Sequence, residues 1–448
     1  MLKKLRDESG KYTGDEEKLF LNTFAPVLCA YTEWILRNAS ASGIGVLYFL
    51  SRDGYMLHSA AKRLKDVICP SLELRYLNVS RFSLRSAQYY DLGKKCLDTI
   101  CTGGMGITLK KMMKRAQLTD EECLQIASAI GMSDEMDEPL DFRGILKVKE
   151  NLEEVPEFFD MVSRHSKQPY ENVTGYLLQE GLMDDAKKGI VDAGWIGTIQ
   201  DSLMYLIRKT RTLHGYYFGL YELPDKNDVE KTVSLSEYDS YYIKPRGKSG
   251  DNIRNLKRKK DFSICLFESV CSSPEGMTVG YEKNANGKYI PVTDMEQNPN
   301  AGHINRFHEI LKDYAAEYSR EISSGAYSYD EDEDLDMVNG IMSSLMGDPS
   351  SEEASLFGQL MFCDDVLESD LKSVAGKITR EDVRKLTFMR RLMGKAGICK
   401  DVTPLSGWFE GSIALVTDEN DPREKKFRKW AVKNEHKMKV LTEMRKAL

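Results

Sequence analysis

Apolar side chains three and four apart run through residues 17–38 (EKLFLNTFAPVLCAYTEWILRN), the spacing of a helix with a buried face. The pattern then changes. Residues 45–50 (GVLYFL) are an unbroken apolar run between Gly43 and Asp53-Gly54, which predicts a buried parallel strand. Helical spacing returns over 55–65, and 72–79 (LELRYLNV) predicts a second strand ending in Ser80-Arg81. From Leu92 to Lys188 the chain is helical and charged, with a glycine-rich start at 101–106 and an N-cap at Thr119. A short buried strand follows at 189–193, then a glycine-containing turn, a helix over 198–209 and a strand over 215–221. Alternating elements of this kind favour a parallel sheet with helical crossovers.

Outside this rhythm, residues 224–260 are polar, hold the basic segment 254–260 (RNLKRKK), and read as a loop or lid. Residues 303–448 read as mostly helical, broken by the acidic run 330–334 and by Gly347-Asp348-Pro349. No internal repeat is visible. The expected division is a first part of an α/β core at 1–91, a helical insertion at 92–188, a second part of the core with the lid at 189–302, and a helical C-terminal region at 303–448.

Composition narrows the class. Hydrophobic residues make up 41% and charged residues 30% of the 448, as in an ordinary soluble protein. A net charge of −7 gives no reason to expect nucleic acid as a partner. Nine cysteines without a Cys-x-x-Cys pair, and six histidines without a spaced pair, argue against a disulfide framework and a structural zinc site. The charged start lacks the apolar core of a signal peptide, and no apolar run approaches the roughly 20 residues that cross a bilayer, so a cytoplasmic location is expected.

Two loops stand at strand ends. In open α/β sheets ligands bind there, where a loop opens a helix and free N–H groups face outward. The second loop, Asp192-Ala193-Gly194-Trp195-Ile196-Gly197-Thr198, offers glycines for close backbone approach, the Thr198 hydroxyl and a helix N-terminus: a phosphate cradle. Asp192 is placed for sugar hydroxyls or a metal-bound water. The first loop gives Ser51 as a donor, Arg52 for bidentate phosphate contact, Asp53 for a metal or a turn, and Gly54 for backbone access, which suits a pyrophosphate with Mg²⁺. Arg81 and Arg85, after the second strand, complete an anion pocket or serve as surface ion-pair partners. Turn geometry alone explains either loop taken singly. Two of them, each after a buried strand and each opening a helix, favour a site.

The order of VLYFLSRDGYMLHSAAKRL, a strand with an arginine end, and GIVDAGWIGTIQDSL resembles the layout of type I phosphoribosyltransferases. More narrowly, the SRDG loop, the YLNVSR strand and the VDAGWIGTIQ turn are similar to the glycan phosphoribosyltransferases of bacterial polysaccharide clusters, through Tyr281 and more faintly beyond. The resemblance implies a phosphoribosyltransferase-type α/β sheet, phosphoribosyl pyrophosphate as donor, Mg²⁺ as cofactor held by Asp53 and Asp192, and a glycan hydroxyl, lipid-linked or free, as acceptor. It gives Ser51, Arg52, Asp53 and Gly54 to the pyrophosphate, Asp192 to the ribose hydroxyls, and Gly194, Trp195, Ile196, Gly197 and Thr198 to the 5-phosphate. The chain departs from nucleotide-making relatives in having one acidic residue, Asp192, before the turn, bulky Trp195-Ile196 within it, and a long helical segment between the loops. A larger acceptor than a base is thereby expected.

An acceptor hydroxyl needs a base, and Asp53 and Glu268 are the candidates, with a structural role for Glu268, such as capping or pairing with the basic lid, equally open. His58, inside a helix, reads as a packed or exposed side chain. Two rivals remain. A haloacid-dehalogenase-like phosphatase needs a second aspartate two residues after the nucleophile, where Asp53 is followed by Gly54-Tyr55. A non-catalytic interaction protein of a polysaccharide cluster would use the C-terminal half, where REKKFRKW (423–430) flanks Phe427 and Trp430 with basic residues and can rest on anionic lipid at the inner face of the membrane; the plainer and favoured reading of this segment is a solvated terminal helix that packs the two aromatics on its own domain.

Overall fold

The computed structural model describes residues 11–103, 106–207, 213–221, 238–245, 252–295, 297–363, 371–395 and 406–445. Its centre is a five-stranded sheet, all parallel, in the order β2-β1-β3-β4-β5. The strands are β1 (Val46–Leu50), β2 (Glu73–Leu77), β3 (Lys188–Asp192), β4 (Leu213–Gly219) and β5 (Tyr238–Ile243). The protein is therefore of the α/β class.

Every residue of β1 is buried, because both faces of the strand are covered. Leu47 and Phe49 point to one side, into a core with Met56, Leu57 and Ala60 of helix Gly54–Ile68 and with helix Phe24–Ala41. Val46, Tyr48 and Leu50 point to the other, against Leu84 and Ala87 of helix Arg81–Leu92, Val173 and Leu177 of helix Pro156–Gln179, and Leu203 of helix Thr198–Leu206. The two-residue alternation of a strand makes both cores from one short run.

Residues 15–41 are long and apolar enough to cross a membrane by length and composition, and most of that span is buried in this structure. It forms helices Asp15–Asn22 and Phe24–Ala41, whose Phe20, Phe24 and Trp34 join the first core. The same core continues into helices Ala301–Ser324, Glu331–Gly347 and Ser351–Gly358 through Phe307, Leu311, Val338 and Phe357. Between Tyr89 and Val162, short helices enclose a separate apolar cluster of their own.

The stretch expected as a lid is corrected in part. Tyr238–Ile243 is the fifth strand and is buried, and Asn252–Asp261 is a helix, while 222–237 and 246–251 lie outside the described residues. Tyrosines at 238, 241 and 242 suit a covered strand, and the polar residues around them hid it in the sequence. Lys259 of the basic segment is buried, its ammonium donating to the Tyr221 carbonyl at 3.0 Å.

Candidate functional site

β1 and β3 are neighbours, with Phe49 opposite Val191, yet the chain leaves them on opposite faces of the sheet. Helix Gly54–Ile68 carries β1 back to β2 on the Phe49 side, and helix Thr198–Leu206 carries β3 on to β4 on the Leu50 side. Such a switch opens a crevice at the carboxyl ends of the two strands, where ligands of open α/β sheets bind. A cavity of about 340 Å³ lies there. Ser51, Arg52, Asp53, Arg81, Asp192, Gly194, Trp195, Ile196, Thr198 and Glu268 all line it, so the two loops face one space.

Local geometry explains why these residues meet. Gly194 has φ +149°, and a Cβ there would lie 2.1 Å from the Gly219 carbonyl oxygen, so only glycine lets the loop lie this close to the end of β4. Gly197, at φ +71°, caps helix Thr198–Leu206. The Ser51–Arg52 and Gly194–Trp195 peptide bonds are both cis. The Tyr31 hydroxyl lies 3.1 Å from the Asp192 carbonyl and 3.0 Å from that of Tyr216, tying the strand end to helix Phe24–Ala41. Helices Gly54–Ile68, Arg81–Leu92 and Thr198–Leu206 begin at the cleft, and helix Ala301–Ser324 begins beside Asn300 on its wall. Helix N-termini favour anions.

The acids carry the unusual electrostatics. Asp192 is 5% exposed. Burial, then the charge of Glu268, pushes its carboxyl up to about 7, against the opposing pull of the Ala193 and Gly194 N–H groups and of Arg81. Asp53 is held well above the carboxylate range by burial and by the charges of Glu268 and Asp192, with Arg52 and Arg81 opposing. Asp53 is half-buried and lines the cleft. Glu268 comes from helix Ile264–Cys271, and its Oε1 accepts from the Trp195 indole N–H at 2.8 Å. Three acids that repel one another, beside two arginines, make a site poised for a cation together with an anion.

Several expected roles change. The Ser51 hydroxyl donates to the Val79 carbonyl at 2.8 Å and accepts from the Val79 N–H at 3.0 Å, so it joins the first loop to the end of β2 and has its proton engaged within the protein. Gly54 lies outside the cleft lining: a Cβ there would fall 2.8 Å from the Phe49 carbonyl carbon, so it is needed for close packing of helix on strand. Gly197 likewise shapes the turn without lining the cavity. Arg85 faces a separate small cavity with Tyr89, Thr99 and Arg115, one helical turn beyond Arg81. Trp195 is a wall, packed on Phe262, Phe267 and Tyr221. His58 is packed between the rings of Phe49 and Tyr76, where burial pushes its imidazole down to about 4.

The opposite wall was not anticipated. Ser269, Ser272, Thr278 and Asn298 supply polar groups, and Met277, Met361 and Phe362 apolar ones. Asn298 donates to Ser272 Oγ at 3.2 Å, and Asn300 bonds the Met361 backbone in both directions, at 2.7 and 2.8 Å, which fixes the turn before helix Ala301–Ser324. The Asn-Pro-Asn run at 298–300, a turn signal ahead of a helix, was the one available hint. Among the described residues no group of three His, Cys, Asp or Glu side chains forms a ready-made metal cage.

Comparison with known proteins assigns no family: no family model matches the chain, and no curated protein matches it.

Proposed function

We propose that the protein is a glycan phosphoribosyltransferase, moving ribofuranose 5-phosphate from phosphoribosyl pyrophosphate to a sugar hydroxyl in the synthesis of a surface polysaccharide. The observation that carries the reading is the single cleft lined by both strand-end loops. A donor with a phosphate at one end and a pyrophosphate at the other needs two anion-binding loops facing one space. A phosphoribosyltransferase-type sheet is the finer reading of the five parallel strands, supported by the position of the two loops on the adjacent strands β1 and β3.

In this reading Arg52 and Arg81 take the pyrophosphate, the backbone of 194–198 with the Thr198 hydroxyl takes the 5-phosphate, and Asp192 holds the ribose hydroxyls. Mg²⁺, when bound, supplies neutralisation of the pyrophosphate charge as the leaving group departs. Asp53 and Asp192 would hold it. Their mutual repulsion is the kind a cation relieves, and Mg²⁺ is commonly retained by one or two carboxylates plus substrate phosphates, without a protein cage. Positive charge grows on the ribose ring as pyrophosphate leaves, so buried carboxylates near the anomeric carbon favour the transition state. Glu268, oriented by Trp195, lines the same cleft as Ser272, Thr278, Asn298 and Phe362, and in this reading it accepts the proton of the acceptor hydroxyl. The described side chains of that wall, Ser272, Thr278, Asn298 and Phe362, are uncharged and suit the mixed surface of a sugar ring.

Calorimetry with phosphoribosyl pyrophosphate, with and without Mg²⁺, tests the donor before the acceptor is known. Binding that requires Mg²⁺, and is absent for glucose 1-phosphate and for a nucleotide sugar, is expected. No binding, or equal binding of the controls, overturns the proposal. Phosphate release from a generic phosphomonoester would favour the phosphatase instead.

A further inference from the structure

We infer that the C-terminal helix Pro422–Arg445, with the groove beside it, docks on the anionic surface of a phospholipid membrane. The inference stands apart from the donor site and does not depend on the proposed reaction. The helix has one face committed to the fold. Arg428, Ala431, Glu435 and Met438 are buried, Arg428 pairs with Asp348 at 2.9 Å, and Glu435 pairs with the buried Arg391. Ala431 and Phe427 join a small core with Val383 and Ile413.

The other face is cationic and wet. Lys426, Lys429, Lys433 and Lys437 are exposed, and their spacing of three and four residues sets them in one stripe along the helix. Two acids of the helix are engaged elsewhere, Glu424 with Arg380 and Glu435 with Arg391, and no ion pair of Lys426, Lys429 or Lys433 occurs among the described residues. Trp430 lies within the stripe, 39% exposed and stacked on Phe427. Alongside runs a groove of about 650 Å³ lined by Phe388, Val432, Val440 and Leu441, by Lys260, Lys429, Lys433 and Lys437, and by one acid, Asp348, which is paired with Arg428. Met389, next to Phe388, is 62% exposed.

Charge complementarity selects the occupant. The chain as a whole carries −7 and is repelled by an anionic surface, so attraction has to come from a local concentration of lysines such as this one. An anionic bilayer offers phosphates to the lysine stripe and a hydrocarbon boundary to Trp430, Met389 and the apolar groove. A nucleic acid or an acidic protein would use the lysines and leave those apolar side chains in water.

Co-sedimentation of the full chain with vesicles of equimolar phosphatidylcholine and phosphatidylglycerol tests the inference against vesicles of phosphatidylcholine alone. The wild-type chain is expected to sediment with the anionic vesicles only, and less so as salt rises. Each lysine at such a surface multiplies partitioning about fivefold, so the triple variant Lys426→Gln/Lys429→Gln/Lys433→Gln should bind roughly a hundredfold more weakly. Trp430→Ala should weaken binding at unchanged charge. A control triple, Lys62→Gln/Lys95→Gln/Lys167→Gln, removes exposed lysines elsewhere and should match wild type. No sedimentation of the wild-type chain with anionic vesicles, or equal losses in the two triples, would overturn the inference.

Discussion

Asp192 should cost the empty protein stability, and replacing it should return some. Its carboxyl, ordinarily near 3.8, is pushed up to about 7 by burial and by the charge of Glu268. A buried acid raised by about 3 pH units costs about 4 kcal/mol once it is ionised. The sign is fixed by linkage. Between the unfolded value near 4 and the folded value near 7, the folded chain keeps a proton that the unfolded chain has lost, so stability falls as pH rises through this window and the loss is complete above it. Asp192→Asn keeps an oxygen able to accept the Ala193 and Gly194 N–H bonds but cannot ionise. Because Asp53 and Glu268 still share the cleft, removal of one charge relieves part of the penalty, and a gain of about 2 kcal/mol at pH 8 is expected. Urea unfolding in metal-free buffer at pH 8 and pH 5 reads this directly: the variant should be more stable at pH 8, with a smaller difference at pH 5. Calorimetry should show that the stabilised variant no longer binds phosphoribosyl pyrophosphate. A variant less stable than wild type at pH 8, or one that binds the donor normally, would contradict this role of Asp192.

Glu268→Gln keeps an acceptor for the Trp195 indole while removing a charge that raises both Asp53 and Asp192, so the acid limb of Mg²⁺-dependent donor binding should move to lower pH; a move to higher pH in a titration of binding contradicts this. Arg81→Ala should weaken donor binding at least tenfold, as loss of a charge-assisted hydrogen bond does, whereas Arg85→Ala, outside the cleft, should stay within about twofold in the same calorimeter. Gly194→Ala must push the loop from the end of β4 and hold an alanine at φ +149°, a conformation worth about 1–3 kcal/mol of strain before the clash is counted, so its melting temperature should drop; an unchanged value would show that the loop has room to move.

Much of the fold was legible because buried parallel strands are continuous apolar runs. Residues 45–50 and 189–193 announced β1 and β3 in this way, and their turns announced the cleft. β5 escaped because its tyrosines sit inside a polar stretch, so local composition outvoted its pattern. Side-chain direction was the harder matter. Ser51 was read as a ligand donor, but its hydroxyl finds the Val79 backbone, a contact set by the pairing of β1 with β2. Arg81 and Arg85 looked equivalent in sequence, yet only the first stands at the helix N-terminus that opens the cleft. The wall of Ser272, Thr278 and Asn298 comes from segments far along the chain, and the sequence carried no sign of that distance being closed. Glu268 could be named as a candidate base, whereas its hydrogen bond to Trp195 belongs to the folded molecule alone.

A crystal structure of the protein with phosphoribosyl pyrophosphate and Mg²⁺ would show whether both loops grip one donor. One donor molecule is expected to span the crevice between β1 and β3, with its pyrophosphate against Arg52 and Arg81 and its 5-phosphate on the backbone of residues 194–198. A donor bound elsewhere, or touching one loop and leaving the other empty, would contradict it.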